Sequence, residues 1–247
     1  MLAKPISASP APNNLPPRAR ELPVPIQDPP GAELFSTIRT LGGLLDDLER
    51  VRVANGLRIG AMEREYGEAL PHLDVIQKQL RVAEHLAELE LVRAWRKHPL
   101  APWAKEFHGV GEKSIARLIA VIGDPGERAN VAKLWAYCGH GDPARKRTKG
   151  MSQEEAFRLG NPAAKKRVWL IATSLLKAGN RDIYDARRAA TSLTHPDWTA
   201  GHSHADALRI VGKEFLGELW IASHFATNTK KAGTSRKGAP TFSTQRG

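Results

Sequence analysis

The residues best suited to chemistry lie near the middle of the chain, where Gly109-Val110-Gly111 is followed by Glu112-Lys113-Ser114-Ile115. Glycines on either side of an apolar residue permit a tight turn between two helices, and without side chains they let a phosphate approach backbone N–H groups. The N-terminus of a following helix adds partial positive charge, and Lys113 in its first turn adds a cation. Such a unit grips a phosphate backbone without reading bases. Two further basic groups follow, Arg145-Lys146-Arg147 with Lys149, and Lys165-Lys166-Arg167 at the expected start of a helix. DNA binding is therefore expected of Gly109, Val110, Gly111, Lys113, Arg145, Lys146, Arg147, Lys149, Lys165, Lys166 and Arg167.

Candidates for covalent chemistry are few. Thr148 and Ser152 are the hydroxyls nearest the basic groups. Thr148 has no evident base, and Ser152 with Glu155 reads as a capping box. His202-x-His204 and Cys138-x-His140-x-Asp142 contain metal-ligand residue types. Neither has the spacing of a familiar zinc site, so no metal or cofactor is expected, and Mg²⁺ only if the chain is catalytically active. Of the six tryptophans, Trp198 stands apart because it falls in a loop rather than on an apolar helix face, which makes it a candidate for stacking on a base.

The elements that must position these groups read as helices throughout. Leu34, Ile38, Leu41, Leu45, Leu48 and Val51 form one helical stripe; Leu73, Ile76, Leu80, Ala83, Leu86 or Ala87, and Leu91 form a second, with Pro71 placed to open it. Gly42-Gly43, Gly56 and Gly60 weaken the first helix. Farther on, Asn130 is placed to cap a helix through Tyr137, and further helices are expected at 163–178, 182–191 and about 204–224. No convincing run of alternating strands occurs. The expected fold is all-α: a long helical hairpin or coiled coil over 32–98, then a helix-hairpin-helix-containing domain over 99–225. The Pro-rich segment 1–31, with nine of seventeen prolines, and the basic tail 226–247 are expected to be disordered.

Charge is distributed unevenly. From 32 to 98, ten Lys and Arg face eleven Asp and Glu, whereas from 128 to 188 fourteen face five, within a net charge of +11. A local excess of that kind suits a polyanion, since neutralised phosphates release condensed counterions. The near-neutral 32–98 segment suits self-association through its apolar stripes. A single cysteine excludes an internal disulfide, and no apolar stretch approaches the ~20 residues of a membrane span. Residues 1–31 lack the apolar centre of a secretory signal, so a cytoplasmic protein is expected.

Residues 100–222 resemble the C-terminal transposase domain of the bridge-RNA-guided insertion-sequence transposases of the IS110 type. The resemblance runs through the hairpin Phe107 to Ile119, the turn Ile122-Gly123-Asp124, the segment Leu134-Trp135-Ala136-Tyr137-Cys138-Gly139, the stretch from Gly160-Asn161 to Lys177, and a closing helix around Leu208 to Trp220. It implies a DNA partner, a structured RNA as a further partner, and a coiled coil over 32–98. The family's acidic RuvC-like domain has no counterpart in residues 1–31, which offer only Glu21 and Asp28. The family's nucleophilic serine is also unmatched: Asp142 to Gly150 contains no serine. A DNA-binding protein without catalytic activity of its own is the expected reading. The alternatives are a DNA transposase or recombinase with a separate nuclease domain, and an RNA-binding module.

Overall fold

The computed structural model describes residues 32–67, 71–142 and 148–235, and among them the regular structure is entirely helical. Nine α-helices follow in order among these residues: α1 (Ala32–Tyr66), α2 (Pro71–Trp95), α3 (Ala101–Ala104), α4 (Glu112–Ile122), α5 (Val131–Tyr137), α6 (Gln153–Arg158), α7 (Pro162–Lys177), α8 (Asp182–Thr194) and α9 (Ala200–Ser235). A 3₁₀ turn at Pro125–Glu127 joins α4 to α5.

Local chemistry explains most of the starts. Pro71 opens α2 where its missing N–H costs nothing, and the Asn130 side chain accepts the Lys133 N–H at 3.0 Å at the head of α5. Ser152 and Glu155 close the expected capping box on α6. Asn161 accepts the Ala163 and Ala164 N–H groups ahead of Pro162 on α7.

The core centres on α4, where Ile115, Ala116, Leu118 and Ile119 are at most 1% exposed. Around it pack Ile38 and Leu45 of α1, Leu91 and Trp95 of α2, Val168, Ile171 and Ala172 of α7, and Leu208, Phe215 and Leu219 of α9. The spacing on α7 and α9 is that of a single apolar face. The helical hairpin therefore shares one apolar core with the segment that follows it.

Helix α1 runs without a break through Gly42, for a packing reason. A Cβ there would collide with that of Ala120, so the missing side chain lets α1 and α4 cross closely. An ionic cluster of two buried arginines and two half-buried carboxylates fastens the same crossing. Asp46 and Glu49 of α1 receive the guanidinium of Arg117 from α4, and Asp46 also receives Arg167 of α7 at 2.5 Å. Arg117 and Arg167 are 6% and 8% exposed, so both charges depend on these partners.

Beyond the core the α1–α2 pair is held by polar contacts. Gln77, itself buried, accepts from Asn55 at 3.0 Å and donates to the Arg52 carbonyl at 3.1 Å, and Arg52 pairs with Glu84. The apolar residues Leu57, Val75, Ile76, Val82 and Leu86 are left on the outside, each more than half exposed. Ile76, expected on the apolar stripe, is thus exposed, and of the alternatives Leu86 and Ala87 it is Ala87 that is buried. The buried face of α2 carries Gln77 along with Ala87 and Leu91.

Candidate nucleic-acid interface

The segment around Gly109 begins with only the four-residue α3 before the turn into α4. The two glycines of the turn have different reasons to be there. Gly109 sits at φ +91°, and a Cβ on it would collide with Ala178 at the end of α7. Gly111 lies at φ −74°, ψ 148°, with open space around it, a conformation any residue adopts. Asn180 donates to the His108 carbonyl at 3.1 Å, and Val110 is buried, so the turn is docked on the end of α7.

The charges beside this turn are paired. Lys113 holds Glu88 of α2 at 2.6 Å. Arg96 makes a two-pronged contact to Glu112, at 3.0 and 2.7 Å to one oxygen, and holds that carboxyl below the usual range. Next to the turn, a cleft lined by Phe107, Leu175, Ile183 and Phe215 is bordered by Asp182, Glu214 and Glu218. Acidic groups therefore flank the hairpin.

A second group of cations converges on the Gly139–His140 turn, which ends α5. The His140 N–H returns to the Trp135 carbonyl at 2.8 Å, and the Asn161 N–H donates to the Tyr137 carbonyl at 2.7 Å, which locks the end of α5 to the start of α7. The stem of Lys165 crosses Gly139 so closely that a Cβ there would lie 3.1 Å from Cδ. From α9, Gly212 faces the His140 ring, the Lys213 carbonyl accepts the Trp135 indole N–H at 2.9 Å, and the Lys213 ammonium lies 4.0 Å from the centre of that ring. Arg209, one turn earlier, is oriented by Asp206 at 2.8 Å. Three elements thus contribute to one turn.

The electrostatics register this convergence. His140 is 2% exposed, and burial, reinforced by the charges of Lys165 and Arg209 and by Lys213, pushes its pKa down to about 4. Lys213 is likewise lowered by burial and by Arg209. Burial pushes the Cys138 thiol up to about 12, which leaves it an inert packing group.

Of the basic residues anticipated from sequence, Lys149, Lys165 and Lys166 are exposed. Arg167 is not, being committed to Asp46. Arg145, Lys146 and Arg147 lie outside the described residues. Thr148 is exposed, while the Ser152 hydroxyl donates to Glu155 at 2.9 Å and accepts its N–H at 3.2 Å as a helix cap. The metal-type motifs are dispersed: His204 bonds the Tyr184 hydroxyl at 2.6 Å, His202 stands edge-on to Trp198, and Cys138 and His140 are buried. Among the described residues no group of three or more His, Cys, Asp or Glu is placed to hold a metal ion, and no helix is long and apolar enough to cross a membrane.

Sequence reasoning missed Arg209 and Lys213 and singled out His140 only as a metal-ligand residue type. The 209/213 spacing does put two cations on one helical face, but nothing local says that this face meets the end of α5.

The fold and its cationic turn define a basic, all-helical protein. It is 27% identical over 125 residues to an "Insertion element IS110 uncharacterized 43.6 kDa protein" from Streptomyces coelicolor; the match covers 50% of this chain and 28% of the relative. The similarity supports a relationship to IS110-type insertion-element proteins and nothing finer, and the chain spans little more than a quarter of that relative's length. Neither a family model nor a solved structure matches it.

Proposed function

We propose that this chain is a transposase-like DNA-binding protein that engages duplex phosphates through the cationic turn, with Lys149, Lys165, Lys166 and Lys213 as principal contacts. The observation that carries the reading is the convergence of Lys165, Arg209 and Lys213 on the Gly139–His140 turn, close enough together to help hold a buried histidine neutral. Cations gathered against like charge are relieved by a polyanion, whose bound counterions are released as it docks. The relationship to an insertion-element protein is consistent with a DNA partner.

In this reading the Gly109–Gly111 turn has a packing role, because Lys113 is held by Glu88 and acidic groups surround it. Strand cleavage is not assigned to the chain alone: Ser152 is used as a cap, and a secondary hydroxyl such as that of Thr148 needs a base to activate it. The exposed apolar face of α1–α2, with Leu57, Val82 and Leu86, is assigned to pairing with a second copy.

The test is duplex affinity measured against salt concentration. The parent should bind with log affinity falling linearly as log salt rises, and the double variant Lys165→Ala, Lys166→Ala should flatten that slope by roughly two units, about one for each phosphate that is no longer neutralised. Lys113→Ala should leave the slope unchanged. A parent that binds no duplex at low salt, or a double variant with the parent's slope, overturns the assignment.

A further inference from the structure

Five of the six tryptophans are accounted for by packing: Trp95 is wholly buried, and Trp103, Trp135, Trp169 and Trp220 lie against the core. Trp198 does not. It occupies the connection between α8 and α9, where the His195 ring lies flat on it with centroids 4.2 Å apart and planes 8° apart. His202, in the first turn of α9, meets it edge-on at 6.4 Å. His195 and His202 are themselves exposed, and Leu193 beside them is 84% exposed. Trp198 is half-buried and its stacking partner His195 is exposed, so the stack lies at the surface and outside the hydrophobic core.

The connection that carries it is fixed in place. The Trp198 backbone N–H returns to the His195 carbonyl at 3.0 Å, and the His195 N–H to that of Thr191 at 2.9 Å. Thr191 and Ser203, both buried, share a hydrogen bond of 2.7 Å that ties the end of α8 to the start of α9. The Arg188 guanidinium spans the same gap, 3.4 Å from the Ala200 carbonyl. The rings are therefore preorganised, so a ligand ring added to the stack does not bear the cost of ordering them.

Position along α9 connects the stack to the cationic turn. His202, Arg209 and Lys213 follow at intervals of seven and four residues, which places them on one side of the helix, and the run from His202 to Lys213 covers roughly 16 Å. Asp206 lies between them but is neutralised by Arg187 and Arg209. A strand whose phosphates meet Lys213 and Arg209 and that continues along α9 would reach the stack within roughly 16 Å. We infer that the Trp198–His195 stack is a binding site for an unpaired nucleobase, receiving a base from single-stranded nucleic acid whose backbone lies on the cationic turn. Aromatic faces accept any base, so the site adds affinity for single strands without sequence preference. The inference rests on the DNA-binding reading of that turn.

Fluorescence anisotropy with a labelled twenty-nucleotide single strand and with the corresponding duplex separates the two ideas. Trp198→Leu should lose about five- to a hundredfold in single-strand affinity, the range expected for one stacked base, with duplex affinity unchanged. Trp198→Phe should recover part of the loss because it restores a ring. A single strand carrying 2-aminopurine should be quenched on binding the parent and not on binding Trp198→Leu, which a merely structural role would not produce. If parent and Trp198→Leu bind the single strand equally well, or if the variant loses single-strand and duplex affinity alike, the stacking site is refuted while the cationic turn stands. Absence of salt-dependent binding to either nucleic acid by the parent removes both.

Discussion

Acidification offers a direct measure of the cationic turn, through His140. In the folded chain its pKa is pushed down to about 4 from an ordinary value of 6.5. Between those values the unfolded chain binds a proton that the folded chain refuses, so folding loses stability as pH falls from 6.5 toward 4 and is unaffected by this group above 6.5. At about 1.4 kcal/mol per unit, the full displacement is worth about 3 kcal/mol, of which about 2 kcal/mol should be lost by pH 5. The perturbation is His140→Leu, which keeps an apolar group against Gly212 but cannot titrate. Urea unfolding of both proteins at pH 7.5 and pH 5 is the assay. The parent should lose about 2 kcal/mol more than the variant between the two conditions. The other histidines are common to both proteins and cancel, as do the carboxylates. Equal losses would show that His140 is not held neutral by its surroundings and would remove the principal electrostatic support for the cationic turn. A corollary concerns the complex. Bound phosphates offset Lys165, Arg209 and Lys213, so His140 should regain basicity, and the parent's duplex affinity should rise between pH 6.5 and 5 more than that of His140→Leu.

Three other outcomes follow from the packing. Gly109→Val should destabilise the fold by several kcal/mol, because it combines a φ of +91° with a collision against Ala178, whereas Gly111→Val should unfold at nearly the parent's denaturant concentration; the two are compared by urea titration followed by circular dichroism. Asp46→Asn should cost about 2 kcal/mol in the same assay, below the range for a fully buried pair because Asp46 keeps a 37% exposed side chain and Glu49 still holds Arg117. Leu57→Glu combined with Leu86→Glu should shift the full chain to a monomer in sedimentation without lowering its stability, since both side chains are more than half exposed; a parent that is already monomeric at high concentration would refute pairing through that face.

The elements and their starts are legible in the sequence because their causes lie within a few residues. Pro71 before α2, the Asn130 cap, the Ser152–Glu155 box and the apolar spacing of α7 and α9 act over one turn of helix or along one face. The all-helical class and the excess of cations after Arg128 are readable for the same reason, as sums over local composition. Tertiary contacts decide what those cations do. Lys113 and Arg167 have the sequence setting of phosphate ligands, but their carboxylates come from 25 and 121 residues away, and no periodicity announces such a pairing. Lys165 and Lys213, 48 positions apart in the chain, both reach the end of α5, Lys165 across Gly139 and Lys213 over Trp135, only because α7 and α9 bring them there. Gly42 reads as a weak point in a helix and is in fact where α4 crosses it, and Trp198 reads as a loop aromatic whose flat stack on His195 depends on the Thr191–Ser203 bond between two helices. Propensity and capping are short-range and are written in neighbouring residues, whereas the partner of a charge or a ring is chosen by which helices bury their apolar faces together.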